Sequence, residues 1–145
     1  MALSTKAEIL DICPSPYGYA VFVQASKKIF VIYVDRARGM AMQSAMSGCK
    51  SARPLTYEFI AQMFDGLECQ VKGVLIYHVC EGTFYTRLTI EMKNELGSKI
   101  VDVDGRPSDT IAIAMRTGAP IYVSEDVLSR VSDMSEAFNK IKGAR

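Results

Sequence analysis

Residues Val101 to Val123 read Val-Asp-Val-Asp-Gly-Arg-Pro-Ser-Asp-Thr-Ile-Ala-Ile-Ala-Met-Arg-Thr-Gly-Ala-Pro-Ile-Tyr-Val, the pattern of a strand, a turn, a short helix and a second strand. Valine alternates with aspartate over the first four positions, as in a half-buried strand. Glycine and proline then end the strand, and Ser108 or Asp109 is placed to cap the following helix. Gly118 stands where helices commonly end in the left-handed conformation. Two carboxylates and an arginine therefore gather beside a helix N-terminus.

The composition predicts one domain with a substantial core. The chain has 145 residues, of which 49% are hydrophobic, and a chain of this length buries about two-thirds of its unfolded surface. Lysine and arginine number 17 against 16 aspartates and glutamates. Because there is no overall basic excess, any surface that grips nucleic acid must be a local one.

Cysteine and histidine usage argues against a disulfide framework and a zinc site. The cysteines are scattered without a close pair, and His78 is the single histidine. We expect free, buried thiols in a reducing cytoplasm. The N-terminus lacks the apolar run of a signal peptide, and no segment approaches the roughly 20 apolar residues of a membrane span.

The periodicity of the residues on either side of 101–123 predicts an α+β fold. The sheet is expected to be mixed and largely antiparallel, to open with a three-strand meander, and to contain six strands before residue 105: 6–13, 17–24, 29–34, 71–79, 83–92 and 99–104. Short helices are expected to cover it at 40–46, 56–67 and 108–117. Helix 56–67 is expected to bury one apolar face: Phe59, Ile60, Met63, Phe64 and Leu67.

After Val123 the sequence predicts a helical tail. Ser124 is placed to cap a first helix, and Met134, Phe138 and Ile141 have the spacing of a second, amphipathic one. We expect a domain over residues 1–128 and a tail over 129–145. Because such a tail needs a surface to cover it, we expect it to pack on its own sheet or in a homodimer.

A weak internal repeat relates two strand–helix segments of the chain. Ile32, Val34 and Asp35 share the pattern of the strand that begins at Val101, and each strand is followed by a helical segment. The similarity favours two related strand–helix units, although chance explains so few matched positions equally well.

Three ordered motifs carry a family resemblance: Arg53-Pro-Leu-Thr, Glu81-Gly-Thr-Phe-Tyr-Thr-Arg-Leu and Asp104-Gly-Arg-Pro-Ser-Asp-Thr-Ile-Ala. Together they resemble the bifunctional nuclease family of bacteria and plants, over roughly residues 29–128. The resemblance implies an α+β domain, bacterial in this case, that hydrolyses DNA and RNA in at least some members. It does not transfer catalytic residues, so these must be argued from the sequence.

Nuclease chemistry directs attention to the carboxylates of the central segment. Asp102, Asp104 and Asp109 are candidates for catalysis and for holding Mg²⁺ or Mn²⁺, which activates water and neutralises phosphate charge. Arg106 is a candidate for binding a phosphate oxygen beside the helix N-terminus. The alternative is structural, because Asp104 and Arg106 also suit a tight turn and Asp109 an ordinary helix start.

Neighbouring strands contribute two further catalytic candidates. Folding strand 83–92 against strand 99–104 places Arg87 roughly opposite Asp102 to Asp104, where an ordinary cross-strand pair is the alternative. Glu81 is either a catalytic acid or a solvated turn residue. His78 is expected to be half-buried among apolar neighbours, and with no second histidine a Ser-His-Asp arrangement is excluded.

One local basic run is a candidate nucleic-acid surface. No acidic residue lies between positions 36 and 57, and this run contains four cations: Arg36, Arg38, Lys50 and Arg53. Cations at this density suit a path for phosphates, and a solvated face is the alternative.

Two positions depart from the family pattern. Arg38 stands near the place of an acidic residue, and Thr56-Tyr57-Glu58-Phe59 replaces the usual Thr-His-Asp-Leu. The leading expectation is a metal-assisted nuclease that acts on DNA or RNA. The alternative is a non-catalytic interaction or regulatory domain.

Overall fold

The computed structural model describes residues 3–143, which form a seven-stranded sheet and five helices. The strands are β1 Ser4–Ser15, β2 Gly18–Ala25, β3 Lys28–Val34, β4 Cys69–Cys80, β5 Thr83–Asn94, β6 Gly97–Gly105 and β7 Ile121–Ser124. The helices are α1 Arg36–Ser47, α2 Thr56–Gly66, α3 Pro107–Thr117, α4 Glu125–Arg130 and α5 Ser135–Gly143. The expected α+β class and the opening meander are confirmed.

The sheet is built from two similar units joined by the last strand. Its order is β3-β2-β1-β7-β4-β5-β6, with β4 and β7 parallel and all other neighbours antiparallel. Each unit is a three-strand meander followed by a helix: β1–β3 with α1, and β4–β6 with α3. This arrangement agrees with the two strand–helix units that the internal repeat favours.

The sheet curves so strongly that strands far apart in its order meet. The rings of Phe30 in β3 and Phe84 in β5 stack with centroids 5.6 Å apart. Helix α3 lies in the concave, inner face, where Ile111 has no exposed surface. The hydroxyls of Thr86 in β5 and Thr110 in α3 share a buried hydrogen bond of 2.7 Å. The core is therefore centred on α3, and the start of that helix is fixed relative to the strands.

Helix α1 is longer than the pattern predicts. It begins at Arg36 rather than at Met40 because the Asp35 side chain accepts a hydrogen bond of 2.9 Å from the N–H of Arg38. This N-cap satisfies one of the free donors of the first turn and allows the helix to start directly after β3. An apolar periodicity alone does not reveal this polar first turn.

Helix α3 ends as predicted and begins differently. Gly118 is the C-cap and has a left-handed φ of 76°. The prediction that Ser108 or Asp109 caps the helix is wrong, because the N-cap is Arg106 and its side chain makes no capping bond. Pro107 occupies the first helical position, which its fixed φ suits.

Helix α2 buries only part of the predicted face: Ile60 and Phe64 are half-buried and pack against the main core. Tyr57 and Glu58 are buried as well, and the Glu58 carboxylate accepts the N–H of the residue before the helix at 3.4 Å. Three apolar residues are instead exposed, by 56%, 43% and 64%: Phe59, Met63 and Leu67. These three, here called the α2 apolar stripe, were wrongly expected to be buried.

The tail packs on the protein's own sheet. Val127 of α4 is fully buried in the main core, and Phe138 of α5 lies on the outer face with its ring centroid 5.0 Å from that of Phe22. The Lys28 ammonium donates to the carbonyls of Leu128 and Val131 at the end of α4, at 2.6 and 3.0 Å. The division into a domain of 1–128 and a tail of 129–145 stays a prediction, with residues 1–2 and 144–145 outside the described part.

Strand β6 is more exposed than a half-buried strand. Val101 and Val103 are 38% and 44% exposed, because β6 forms one edge of the sheet and has a neighbour on one side only. Among residues 3–143 no disulfide joins the four cysteines, and only Cys13 of the four is buried, whereas buried thiols were expected. No helix within residues 3–143 is both long and apolar enough to cross a membrane.

Candidate active site and nucleic-acid interface

Three side chains form a polar network on the outer face of the sheet. Arg87 of β5 stands directly opposite Asp104 of β6, which confirms the predicted placement. The hydroxyl of Tyr77 in β4 donates to Asp104 Oδ1 at 2.6 Å, and the Arg87 guanidinium carbon lies 4.1 Å from the centre of the Tyr77 ring. The hydrogen bond to Asp104 raises the pKa of the Tyr77 hydroxyl. We call Tyr77, Arg87 and Asp104 the outer-face network.

The sequence did not predict a role for Tyr77 because it lies at a β-bulge. The register of β4 and β5 shifts between Ile76 and His78, so simple alternation does not show which way Tyr77 points. His78 is exposed rather than half-buried, and its ring lies 5.2 Å from that of Tyr85. The irregularity therefore brings three aromatic rings close together beside Arg87.

Asp102 points from the same outer face of the sheet but is hydrogen-bonded to a residue outside the outer-face network. It pairs in register with Thr89, whose hydroxyl donates to Asp102 Oδ1 at 2.6 Å. Asp102 and Asp104 are two residues apart on one strand, so both side chains point outward. The structure thus brings two of the three predicted metal-ligating carboxylates onto one surface.

Asp109 lies apart from this pair. It stands in the first turn of α3, which packs on the inner face of the sheet, whereas Asp102 and Asp104 point from the outer face. Within residues 3–143 no three His, Cys, Asp or Glu side chains are grouped closely enough to hold a metal ion. The three carboxylates expected to bind Mg²⁺ or Mn²⁺ therefore do not form a joint site in this structure.

Glu81 occupies the tight turn between β4 and β5. Its φ is 49°, and Gly82 follows with a φ of 78°. The Glu81 side chain is exposed and has no hydrogen-bond or ion-pair partner among residues 3–143. Its catalytic role stays a prediction.

Two clefts open beside the starts of α1 and α3. The junction cleft, about 400 Å³, lies where the β3–α1 junction, the β4–β5 turn and the β6–α3 junction meet; its wall includes Asp35 and Arg106. The helix cleft, about 420 Å³, lies between α1, α2 and α3; its wall includes Asp109. Arg38 and Ser108 line both clefts. Arg106 and Asp109, predicted as neighbours in one site, thus face adjoining spaces.

The charges around the junction cleft are unevenly paired. Arg38 forms an ion pair with Asp35. The pKa of Asp35 is lowered chiefly by the hydrogen bond from the Arg38 N–H, then by the guanidinium of the same residue, and least by the charge of Arg106. Arg106 itself has no carboxylate within ion-pair distance in the described part of the chain. The junction cleft therefore carries one cation that no neighbour neutralises.

The predicted basic run is divided between the two ends of α1. Arg36 and Arg38 stand in the first turn, whereas Lys50 and Arg53 follow the end of the helix. Twelve helical residues span about 18 Å, so the four exposed cations form two pairs and not one continuous patch. Only the first pair lies next to the candidate clefts.

The two departures from the family pattern have structural roles here. The Tyr57 hydroxyl donates to Ser44 Oγ at 3.3 Å, which ties α2 to α1, and the Glu58 carboxylate accepts from the Leu55 N–H at the start of α2 at 3.4 Å. Arg38 pairs with the N-cap of α1. Arg38 and Tyr57 therefore do not supply the acidic residue and the histidine of the family pattern, and Glu58 is engaged at the start of α2.

Comparison with known proteins places these features in a family. The model of the bifunctional nuclease domain matches residues 21–136. The chain belongs to this family. The match contains the outer-face network, both clefts and most of the helices, and it extends past residue 128 into the tail.

The individual relatives are distant or partly matched. The chain is 35% identical over 99 residues to an uncharacterised protein of Mycobacterium tuberculosis, a match to 68% of this chain and 56% of that protein. It is 26% identical over 115 residues to bifunctional nuclease 1 of Arabidopsis thaliana, covering 79% of this chain and 35% of the relative. For bifunctional nuclease 2 of Oryza sativa subsp. japonica the identity is 26% over 120 residues, 83% of this chain and 37% of the relative. The chain therefore spans about a third to just over half of these relatives.

Proposed function

We propose that the chain hydrolyses phosphodiester bonds of DNA or RNA. The observation that carries the proposal is the match of the bifunctional nuclease domain to residues 21–136, supported by plant relatives that bear the name bifunctional nuclease. A cytoplasmic location is part of this proposal, since the cysteines are scattered without a close pair and disulfides are rare in the cytosol.

The outer-face network offers the chemistry that the reaction needs. A guanidinium stacked on an aromatic ring keeps its in-plane N–H groups available for phosphate oxygens, and Arg87 is held in this way over Tyr77. The Asp104 carboxylate beside it is exposed and accepts one hydrogen bond, from Tyr77, so it is placed to accept a proton from an attacking water. Arg87 and Asp104 are the residues to which we assign phosphate binding and general-base catalysis.

The proposal includes a divalent cation that the protein's carboxylates and the substrate phosphate would hold together. Residues 3–143 do not supply three grouped ligands, but Mg²⁺ is commonly held by one or two carboxylates together with substrate phosphates. Asp102 and Asp104 provide such carboxylates, and the ion supplies charge neutralisation. Mn²⁺ should therefore raise the melting temperature more with a nuclease-resistant oligonucleotide present than alone; equal shifts would speak against shared binding.

Cleavage of labelled single- and double-stranded DNA and RNA tests the catalytic assignment. With Mg²⁺ or Mn²⁺ present, Asp104→Asn should lower the rate about a hundredfold or more, and Arg87→Ala should weaken both binding and cleavage. Asp65→Asn, which neutralises an exposed carboxylate at the end of α2, is the control. Equal rates for all these proteins would refute the assignment.

A non-catalytic role in binding nucleic acid or a protein is the second candidate. The absence of a grouped metal-ligand set within residues 3–143 favours it. Under this alternative the wild type binds oligonucleotides without cutting them under any metal condition. The same cleavage assay, combined with fluorescence anisotropy, therefore separates the two functions.

Homodimerisation is also part of the proposal, on a surface other than the tail. The α2 apolar stripe stays uncovered, and two-fold dimers are the commonest oligomers. Light scattering should give twice the 16.0 kDa chain mass. Phe59→Lys should shift the protein to monomer, whereas Tyr17→Lys, in the β1–β2 turn and 99% exposed, should not; a monomeric wild type at micromolar concentration would contradict the proposal.

A further inference from the structure

The most unusual polar group outside the outer-face network is the side chain of Ser108. This residue is only 6% exposed, yet its hydroxyl makes no hydrogen bond to any residue from 3 to 143, although every fully buried side-chain N or O in that range has a partner. Ser108 lines both clefts. Because no side-chain oxygen of residues 3–143 is both fully buried and without a partner, the Ser108 oxygen reaches the space of the clefts, where it is available to a ligand.

The backbone at the same residue is also free to donate. Pro107 has no N–H, and the N–H groups of Asp109 and Thr110 both turn back to the Arg106 carbonyl at 3.0 Å. The Ser108 N–H has no acceptor among the described residues, and no side chain caps the helix. The start of an α-helix favours negative charge because the peptide dipoles align.

The surrounding charges match a group with a single negative charge. Arg106, at the N-cap, has no carboxylate partner in the described part of the chain, whereas Arg38 on the facing wall is already paired with Asp35. The charged side chains that line the junction cleft, Asp35, Arg38 and Arg106, thus leave one positive charge in excess. A phosphodiester carries one negative charge, and its two unesterified oxygens can accept from an arginine and from the start of a helix at the same time.

We propose that the Ser108 hydroxyl, the Ser108 N–H and the Arg106 guanidinium together bind one phosphodiester group of a nucleic-acid strand. This site is separate from the catalytic pair, since Ser108 and Arg106 lie at the β6–α3 junction while Arg87 and Asp104 point from the outer face. The inference rests on the proposed action on nucleic acid. It adds a second contact with the backbone of the strand that positions the substrate.

Binding of a fluorescent oligothymidylate, measured by anisotropy in EDTA at low salt, tests the site without cleavage. Ser108→Ala should weaken binding about tenfold, since a hydrogen bond to a charged group is lost. Its melting temperature should not fall, because the hydroxyl has no protein partner to lose. Arg106→Ala should weaken binding similarly and make the salt dependence shallower by about 0.7 in log–log slope.

Arg116→Ala is the matched control, because Arg116 is an exposed arginine in the last turn of the same helix. It should retain wild-type affinity. Affinities within twofold of wild type for Ser108→Ala and Arg106→Ala, or no binding by the wild type itself, would overturn the inference. If oligothymidylate binds through Ser108 but no nucleic acid is cut, only the proposed hydrolysis fails; if cleavage occurs and both variants bind normally, only this site fails.

Discussion

Replacing Phe138 with alanine should separate a docked tail from a loosely attached one. Phe138 is 6% exposed and lies against Phe22 in a small cluster on the outer face, which also contains Cys13 and Ile29. Phenylalanine-to-alanine changes in a core cost about 3–5 kcal/mol. Because α5 has only nine residues and can move to fill part of the gap, we expect the lower end, about 3 kcal/mol. For a chain of this size that corresponds to a fall of about 6–12 °C in melting temperature.

The control makes the same chemical change on an exposed residue. Phe59→Ala, in the α2 apolar stripe, removes a side chain that is 56% exposed and should change the unfolding free energy by less than about 0.5 kcal/mol. Both variants should be unfolded in urea and by heat at the same protein concentration, chosen low enough that the protein is monomeric. A loss for Phe138→Ala under about 1 kcal/mol, or no larger than that for Phe59→Ala, would refute the packing of α5 on the sheet.

Three further outcomes follow from single contacts. Lys28→Met should lower the unfolding free energy by about 1.5–3 kcal/mol, because it removes charged hydrogen bonds to the end of α4, while Lys27→Met in the exposed turn just before β3 should be nearly neutral in urea unfolding. The Asp133 carboxylate accepts from Ser135 and from the N–H of Ile29, which lowers its pKa below the ordinary 3.8; the stability it adds is present above about pH 4 and is lost as pH falls through the lowered pKa. Asp133→Asn should therefore reduce the acid-dependent part of the unfolding free energy in titrations below pH 4, and an unchanged profile would contradict the assignment. Oligonucleotide affinity should fall steeply with salt and more steeply in wild type than in an Arg36→Ala variant, which equal log–log slopes would disprove.

The elements of the fold were predictable because their signals are local. Alternating apolar residues located the strands, and the left-handed Gly118 ended α3 as expected. The start of α3 was not predictable in the same way, because serine, aspartate and an arginine before proline compete within four residues. The buried face of α2 was only partly predicted, since a carboxylate, Glu58, turns inward and accepts the N–H before its own helix, against the usual exposure of charged residues.

The candidate site was predictable only where it depends on strand register. Folding one hairpin places Arg87 opposite Asp104, which follows from the two strands alone. Tyr77 depends on a bulge, and the clefts depend on the curvature of the whole sheet, so neither leaves a pattern in the sequence. The grouping of Asp109 with the other carboxylates failed for the same reason: adjacency in sequence did not show that α3 turns to the opposite side of the sheet.

The position of β7 has a consequence for how the protein is made. Strand β7 is the only link between β1 and β4 in the sheet of residues 3–143, and it is near the end of the chain. Each meander can form from neighbouring segments soon after synthesis, but the walls of the junction cleft come from both. A ribosome must therefore release residue 124 before the two halves of the cleft can meet.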